Sequence, residues 1–412
     1  MQIKIPKLKN FLLFFCTLCL GAYVVLKIYR NSLNADTGTQ GGIWNVINLL
    51  FVGIAFIQGI LGANALRNKP KCISWGFLYA WIAFILSLFT IDSLSLAVVF
   101  RLFMLFYFSS VMLVFYANSR KGIDPYARGG MTLAFYVVGV FCLYLMLQRV
   151  TGRKEIYQSD MYFMLCLLPF MMLWKKGVGF YLPLLLTVAV IILSGKRTAT
   201  LAIVGAVLVF YFLQMKQDGN LKSFFKTFWK LAVVTALILL AYSYLSKNYE
   251  INLLERLENL EEDGGSGRDD IYLSLLTAIK NSNPIRWIVG YGNNAVIRVY
   301  GRTSAAHNDF IEIMFDYGIF AVIALVGFYV SIIRECAKMV KYKYPGAPAF
   351  AASIVVAIMM SMFSNFIITF THISGMAAFW GVALAEWNEH RRQLGSVGQS
   401  VKTDIPQIQR TE

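Results

Sequence analysis

Residues 178–215 read VGFYLPLLLTVAVIILSGKRTATLAIVGAVLVFYFLQM. Two apolar runs, 178–193 and 199–215, flank a five-residue polar joint, Ser194-Gly195-Lys196-Arg197-Thr198. Each run is about the length a helix needs to cross a bilayer, and in lipid only a helix or a closed barrel satisfies its own backbone polar groups. The joint therefore reads as a tight turn between two spans, with its cations at a membrane surface. The same pattern recurs along the chain, near residues 11–29, 43–64, 73–90, 96–117, 131–149, 161–174, 231–246, 309–333, 349–370 and 376–387. The expected fold is all-α, a polytopic transmembrane helix bundle of about twelve spans occupying residues 1–387.

Composition agrees. Of 412 residues, 58% are hydrophobic and 15% charged, and mean hydropathy is +0.60. Soluble domains carry about 25% charged residues, so a soluble multidomain protein is excluded. The first run follows Lys4, Lys7 and Lys9 but is long and has no small-residue cleavage site, so it reads as a span rather than a cleaved leader. The net charge of +16 does not point to nucleic acid, because in a membrane protein charge must first be divided by side. The six cysteines, Cys16, Cys19, Cys72, Cys142, Cys166 and Cys336, have neither disulfide nor metal spacing.

Lysine and arginine fall on every second connection: Arg67, Lys69 and Lys71; Arg120, Lys121 and Arg128; Lys175 and Lys176; Lys216, Lys222, Lys226 and Lys230; Arg334, Lys338, Lys341 and Lys343; then Arg391 and Arg392. The positive-inside rule makes those connections cytoplasmic, puts both termini inside and requires an even number of spans. Residues 388–412 are then a polar, disordered cytoplasmic tail. On the opposite face one connection, 247–306, is far too long for a turn, and such loops generally exist for function. Within it 251–260 reads as a helix, Gly264, Gly265 and Gly267 as a break, and 269–280 as a second helix with Asp270 in its first turn.

Against the charge rule, Arg197, Arg268, Arg286, Arg298 and Arg302 fall on that outer face. A guanidinium presents a planar fork of donors matching phosphate oxygens, so the cluster suits a lipid-linked phosphate or diphosphate. The alternative for the loop arginines is pairing with loop acids or exposure to water; Arg197 differs because its turn is fixed by two helices. His307 stands at the end of the large loop, where a neutral imidazole can take a proton from a sugar hydroxyl; His372 shares that face and His390 lies in the tail. Asp309, Glu312 and Asp316 share one helical stripe, and Arg101, near the outer end of the 96–117 run, is a candidate partner; a functional and a packing role stand level for this pair. Gly290-Tyr291-Gly292 lacks the strand context of a nucleotide loop and is set aside. No Asp-x-Asp or His-x-x-x-His pattern suggests a metal.

Three stretches together resemble the bacterial O-antigen polymerase and O-antigen ligase family, membrane glycosyltransferases that use polyprenyl-diphosphate-linked glycans. They are Ser194-Gly195-Lys196-Arg197-Thr198-Ala199-Thr200-Leu201, then Ser266-Gly267-Arg268 in the large loop, then His307-Asn308-Asp309-Phe310-Ile311-Glu312 running to Tyr317-Gly318-Ile319. The resemblance covers residues 178–333. It implies a glycan carried on undecaprenyl diphosphate at the periplasmic face of the bacterial inner membrane and transferred to an acceptor sugar hydroxyl, without a cofactor or metal. His307, Arg197 and Arg268 would be the catalytic set, with Lys196, Arg101, Arg302, Asn308 and Glu312 as substrate contacts. Implied partners are the lipid-linked donor, an acceptor glycan or the lipid A-core, and membrane lipids, with room for a chain-length regulator and none for nucleic acid. Polymerase is favoured over ligase. A flippase or transporter for lipid-linked oligosaccharides is the competing class, but it should distribute polar groups through the spans, whereas here they gather at one face. A structural subunit without a site is the remaining reading.

Overall fold

The computed structural model describes residues 10–33, 43–61, 69–90, 96–120, 122–151, 161–175, 178–219, 264–299 and 305–403, with the single positions 225, 229, 243 and 247. Its regular elements are all helical: α1 (Phe11–Leu33), α2 (Ile43–Leu61), α3 (Lys71–Leu88), α4 (Leu96–Met104), α5 (Tyr107–Ser119), α6 (Pro125–Val150), α7 (Tyr162–Trp174), α8 (Val178–Ser194), α9 (Arg197–Asp218), α10 (Gly264–Lys280), α11 (Pro284–Val289), α12 (Ala295–Arg298), α13 (Asp309–Lys341), α14 (Ala347–Phe363) and α15 (Phe370–Thr403).

Five of the described helices are long and apolar enough to cross a membrane: α1, α3, α6, α9 and α13. A sixth crossing results if α4 and α5, bent by 44° at their junction, form one broken span. The expected 96–117 span is thus two helices, parted at Leu105 and Phe106. The helices α2, α7, α8 and α14 are apolar but shorter, and the expected 231–246 span and 251–260 helix lie outside the described residues. The protein is a multi-pass membrane protein of helical bundle architecture.

Packing explains the short helices. All residues of α7 from Tyr162 to Met172 are buried, so it is wrapped by neighbours instead of lipid. Small residues allow the close approaches that hold such bundles: the Gly381 backbone lies against the Met112 carbonyl, joining α15 to α5, and Gly327 seats the Trp75 ring, joining α13 to α3. Gly205 meets Val355 where α9 packs on α14. Across the core Trp380 Nε1 donates to Ser353 Oγ at 2.9 Å and Trp387 Nε1 to Glu335 Oε2 at 3.3 Å.

Three further differences from the sequence reading are physical. The glycines at 264, 265 and 267 do not break the chain but open α10. The last helix continues through Thr403, past position 388, where a disordered tail was expected. Inside α13, Gly318 takes φ 71° and ψ −173°, interrupting the helix two residues after Asp316. That interruption frees the carbonyls of Phe315 and Asp316, which accept from the N–H groups of Tyr291 (2.9 Å) and Gly292 (2.8 Å). Side chains at Gly290 or Gly318 would strike the facing backbone at Asp316 and Ile288 respectively. The glycine pair at 290 and 292 is therefore a docking strap that fastens the 264–299 segment to α13.

Candidate functional site

One end of the bundle gathers the C-terminal ends of α6, α8 and α14 and the N-terminal ends of α7, α9, α13 and α15, with α10 packed against α13. The joint between α8 and α9 turns on Gly195, at φ 65°, and Lys196 occupies the N-cap of α9 in extended conformation. Arg197 and Thr198 open the helix and are buried, with Arg197 only 9% exposed. Helix N-termini favour anions, so a basic pair here concentrates positive potential at one spot.

The last turn of α14 ties the three motifs together. Helix C-termini leave carbonyls without intrahelical partners, and here side chains from the first and third stretches and from α10 use them. Thr198 Oγ1 donates to the Phe363 carbonyl (3.2 Å), Asn308 Nδ2 to the Met362 carbonyl (3.0 Å), and Tyr272 Oη to the same Met362 carbonyl (3.5 Å) and to the His307 carbonyl (3.1 Å). Arg268, one turn before Tyr272 on α10, donates from Nη1 to Thr198 Oγ1 at 3.4 Å. Segments far apart in sequence thus converge on Met362 and Phe363.

His307 is half-buried at φ 57°, a conformation uncommon for a non-glycine residue. Asn308 follows as N-cap of α13, its Oδ1 accepting from the N–H groups of Phe310 (3.0 Å) and Ile311 (3.1 Å). The backbone is thus held on both sides of the imidazole. Burial, then the charges of Arg268 and Lys196, hold the His307 pKa below its usual value. An imidazole so placed stays neutral at physiological pH and available as a proton acceptor.

The acidic stripe behaves otherwise. Asp309 accepts from the N–H groups of Phe366 (3.0 Å) and Ile367 (2.8 Å), Glu312 from Ala306 (2.6 Å), and Asp316 from Asn294 (2.8 Å) and Ala295 (2.9 Å). All three are buried, and their partners are backbone donors of neighbouring loops. Arg101, expected as their partner, is an exposed residue in the last turn of α4, while the cation acting on Asp316 is Arg298. Glu312 and Asn308, expected as substrate contacts, spend these side-chain groups assembling the site. Arg298 Nη2 donates to the Tyr291 carbonyl (2.9 Å), and Arg286 donates to the Gly290 carbonyl (3.1 Å) and lies over the Tyr291 ring (5.0 Å), so both brace the strap. Arg302 lies outside the described residues.

Four contributors escaped the sequence reading. Tyr272 had a signal, standing four residues after Arg268 on the same helical face. Arg149, at the end of α6, donates to the Ser194 carbonyl at 3.0 Å and fixes the joint; it obeys the logic applied to the other arginines of that face. Tyr162, at the start of α7, interacts with Ser364 and with Arg268. The carbonyls of Met362 and Phe363 left no signal, since any residue supplies them.

The chain matches the O-antigen ligase family over residues 182–326, from α8 into α13. That stretch contains every motif on which the resemblance was read, and it bears the resemblance out. No curated protein matches the chain.

Proposed function

Taking an O-antigen ligase domain over residues 182–326 as the premise, we propose that this membrane protein is a glycosyltransferase that moves a glycan from undecaprenyl diphosphate to an acceptor sugar hydroxyl. The observation that carries the reading is the placement of Arg268 and Lys196 close enough to His307 to act on its charge, on a scaffold shared by all three motifs.

The reaction needs two things from the protein. A diphosphate departs without a general acid at neutral pH, so cations must hold the growing negative charge. The attacking hydroxyl must lose its proton as the new bond forms. In the proposed step His307 takes that proton, the hydroxyl oxygen bonds to the sugar's anomeric carbon, and the bond from that carbon to the diphosphate oxygen breaks, leaving the electron pair on the diphosphate. Arg268 and Arg197 clamp the leaving group, and Lys196 adds a third cation. The site faces the periplasm of the inner membrane, with both termini cytoplasmic. Polymerisation, with a second lipid-linked repeat as acceptor and a chain-length regulator as a further partner, is favoured over ligation to the lipid A-core.

The test is transfer by purified protein supplied with a polyprenyl-diphosphate-linked oligosaccharide. The reading expects a longer glycan together with free polyprenyl diphosphate in equal amount. If the lipid merely changes leaflets and no diphosphate is released, the protein is a transporter and the reading fails.

A further inference from the structure

The helix α11 and its flanks expose an apolar surface to the outside of the bundle: Ile285 is 63% exposed, Trp287 42% and Ile288 47%. Two neighbouring helices measure the depth at which this surface sits. On α13, a stripe of exposed residues, Ile319, Phe320, Ile323, Val326, Val330 and Ile333, runs from the Gly318 break to Arg334, the first charged residue after Asp316. At 1.5 Å per residue that stripe is about 22 Å long. On α3, Leu78, Trp81, Ile85, Leu88 and Phe89 form an exposed stripe about 18 Å long at the C-terminal end of a helix of 18 residues, about 27 Å in all. The full length of α3 approaches the roughly 30 Å hydrocarbon thickness of a bilayer, and the α13 stripe covers most of it. The two helices run antiparallel, so Lys71 and Arg334 mark one boundary while Phe89 and Gly318 mark the other.

One ruler ends at α11 and the other at Gly292, three residues beyond it. A side chain at Gly318 would strike the Ile288 and Trp287 carbonyls, and one at Gly292 would strike Thr90, directly after Phe89. The exposed face of α11 therefore continues the lipid-facing surface of two spanning helices at its far edge. Trp and Tyr concentrate at that depth, where an apolar ring sits beside polar headgroups. Arg286, tucked onto Tyr291 between the apolar residues, can keep its charge at the headgroup level.

We propose that α11 is an interfacial wedge, inserted into the leaflet at the site end of the bundle, whose partner is the bilayer. Only Asn281, Ser282 and Asn283 separate it from α10, which carries Arg268 and Tyr272. Seating α11 in lipid fixes the depth of the helix that bears a cation of the site. This inference rests on the span geometry and stands whether or not the transfer reaction is correct.

The experiment uses full-length protein in nanodiscs made with brominated or unbrominated phosphatidylcholine. The fluorescence of Trp287 is isolated as the difference between wild type and Trp287→Phe, with Trp81→Phe giving the increment of a lipid-facing residue on α3. The proposal expects bromolipid to reduce the Trp287 increment by the same factor as that of Trp81, with acrylamide having little effect. Quenching by acrylamide alone places α11 in water, and quenching by neither reagent places it under protein; either overturns the wedge. A second readout avoids tryptophan. Ile285→Cys should resist an impermeant maleimide in nanodiscs while Lys280→Cys, at the exposed end of α10, reacts; equal reaction rates contradict the proposal.

Discussion

The two faces of the His307 turn use charge in opposite ways. Toward α9 and α10, the charges of Arg268 and Lys196 act on the imidazole. Toward the bundle, Asp309, Glu312 and Asp316 lie buried and accept backbone hydrogen bonds from the 366–367, 306 and 294–295 segments. The acids build the platform and the cations act from it. Burying an acid is tolerable because backbone N–H donors replace its water, whereas Arg268 and Lys196 stay partly exposed, where an anionic ligand could reach them.

Substitutions on the two faces should therefore separate activity from stability. The largest effect is expected at the imidazole: His307→Ala should lower turnover by about 10²–10⁴-fold, the usual contribution of a general base, while thermal unfolding stays near that of wild type. Comparable losses of both would merge the two faces and contradict the distinction. Next, Asp309→Ala leaves the N–H groups of Phe366 and Ile367 without their acceptor and should destabilise the protein by about 1–3 kcal/mol for each unpaired donor, read as a lowered melting temperature in detergent. If that variant melts like wild type, the carboxylate is not holding the 364–369 loop.

Smaller effects sharpen the comparison. Thr198→Val removes the hydroxyl that links Arg268 to the Phe363 carbonyl, and should cost about 1 kcal/mol, seen as roughly fivefold weaker donor binding. The smallest test is electrostatic. Activity requires neutral His307, so it should fall as pH drops through a limb lying below the ordinary histidine value. Lys196→Gln removes one of the two charges that lower that pKa, so the acidic limb should move toward neutral pH. A limb that stays in place, or moves to lower pH, would remove Lys196 from the site.

What the sequence revealed and what it hid follow from the same physics. Long charge-free runs announce helices, so α1, α3, α6, α9 and α13 were legible, and the short joint at 194–198 fixed the place of its cations. Hydropathy counts apolar runs without knowing what covers them. It therefore treated α7, buried by protein, like a lipid-facing span, and passed over the Leu105–Phe106 bend and the Gly318 break, which interrupt apolar sequence. The candidate residues Arg197 and Arg268 were visible because arginine stands out against the charge rule, His307 because it closes the large loop, and Lys196 because it lies in the joint that carries the family resemblance. The partners of the acids were not, because backbone N–H groups and the carbonyls of Met362 and Phe363 belong to any sequence. Gly290-Tyr291-Gly292 was legible as glycines and became meaningful only against the Gly318 break it fastens.

The most direct measurement is donor binding and turnover compared in two variants, His307→Ala and Arg268→Gln, using purified protein and the polyprenyl-diphosphate-linked glycan. If guanidinium holds the diphosphate and imidazole takes the proton, His307→Ala binds donor with near wild-type affinity and does not turn over, whereas Arg268→Gln loses affinity as well as turnover. Equal donor affinity in the two variants, or turnover preserved in either, would contradict the account.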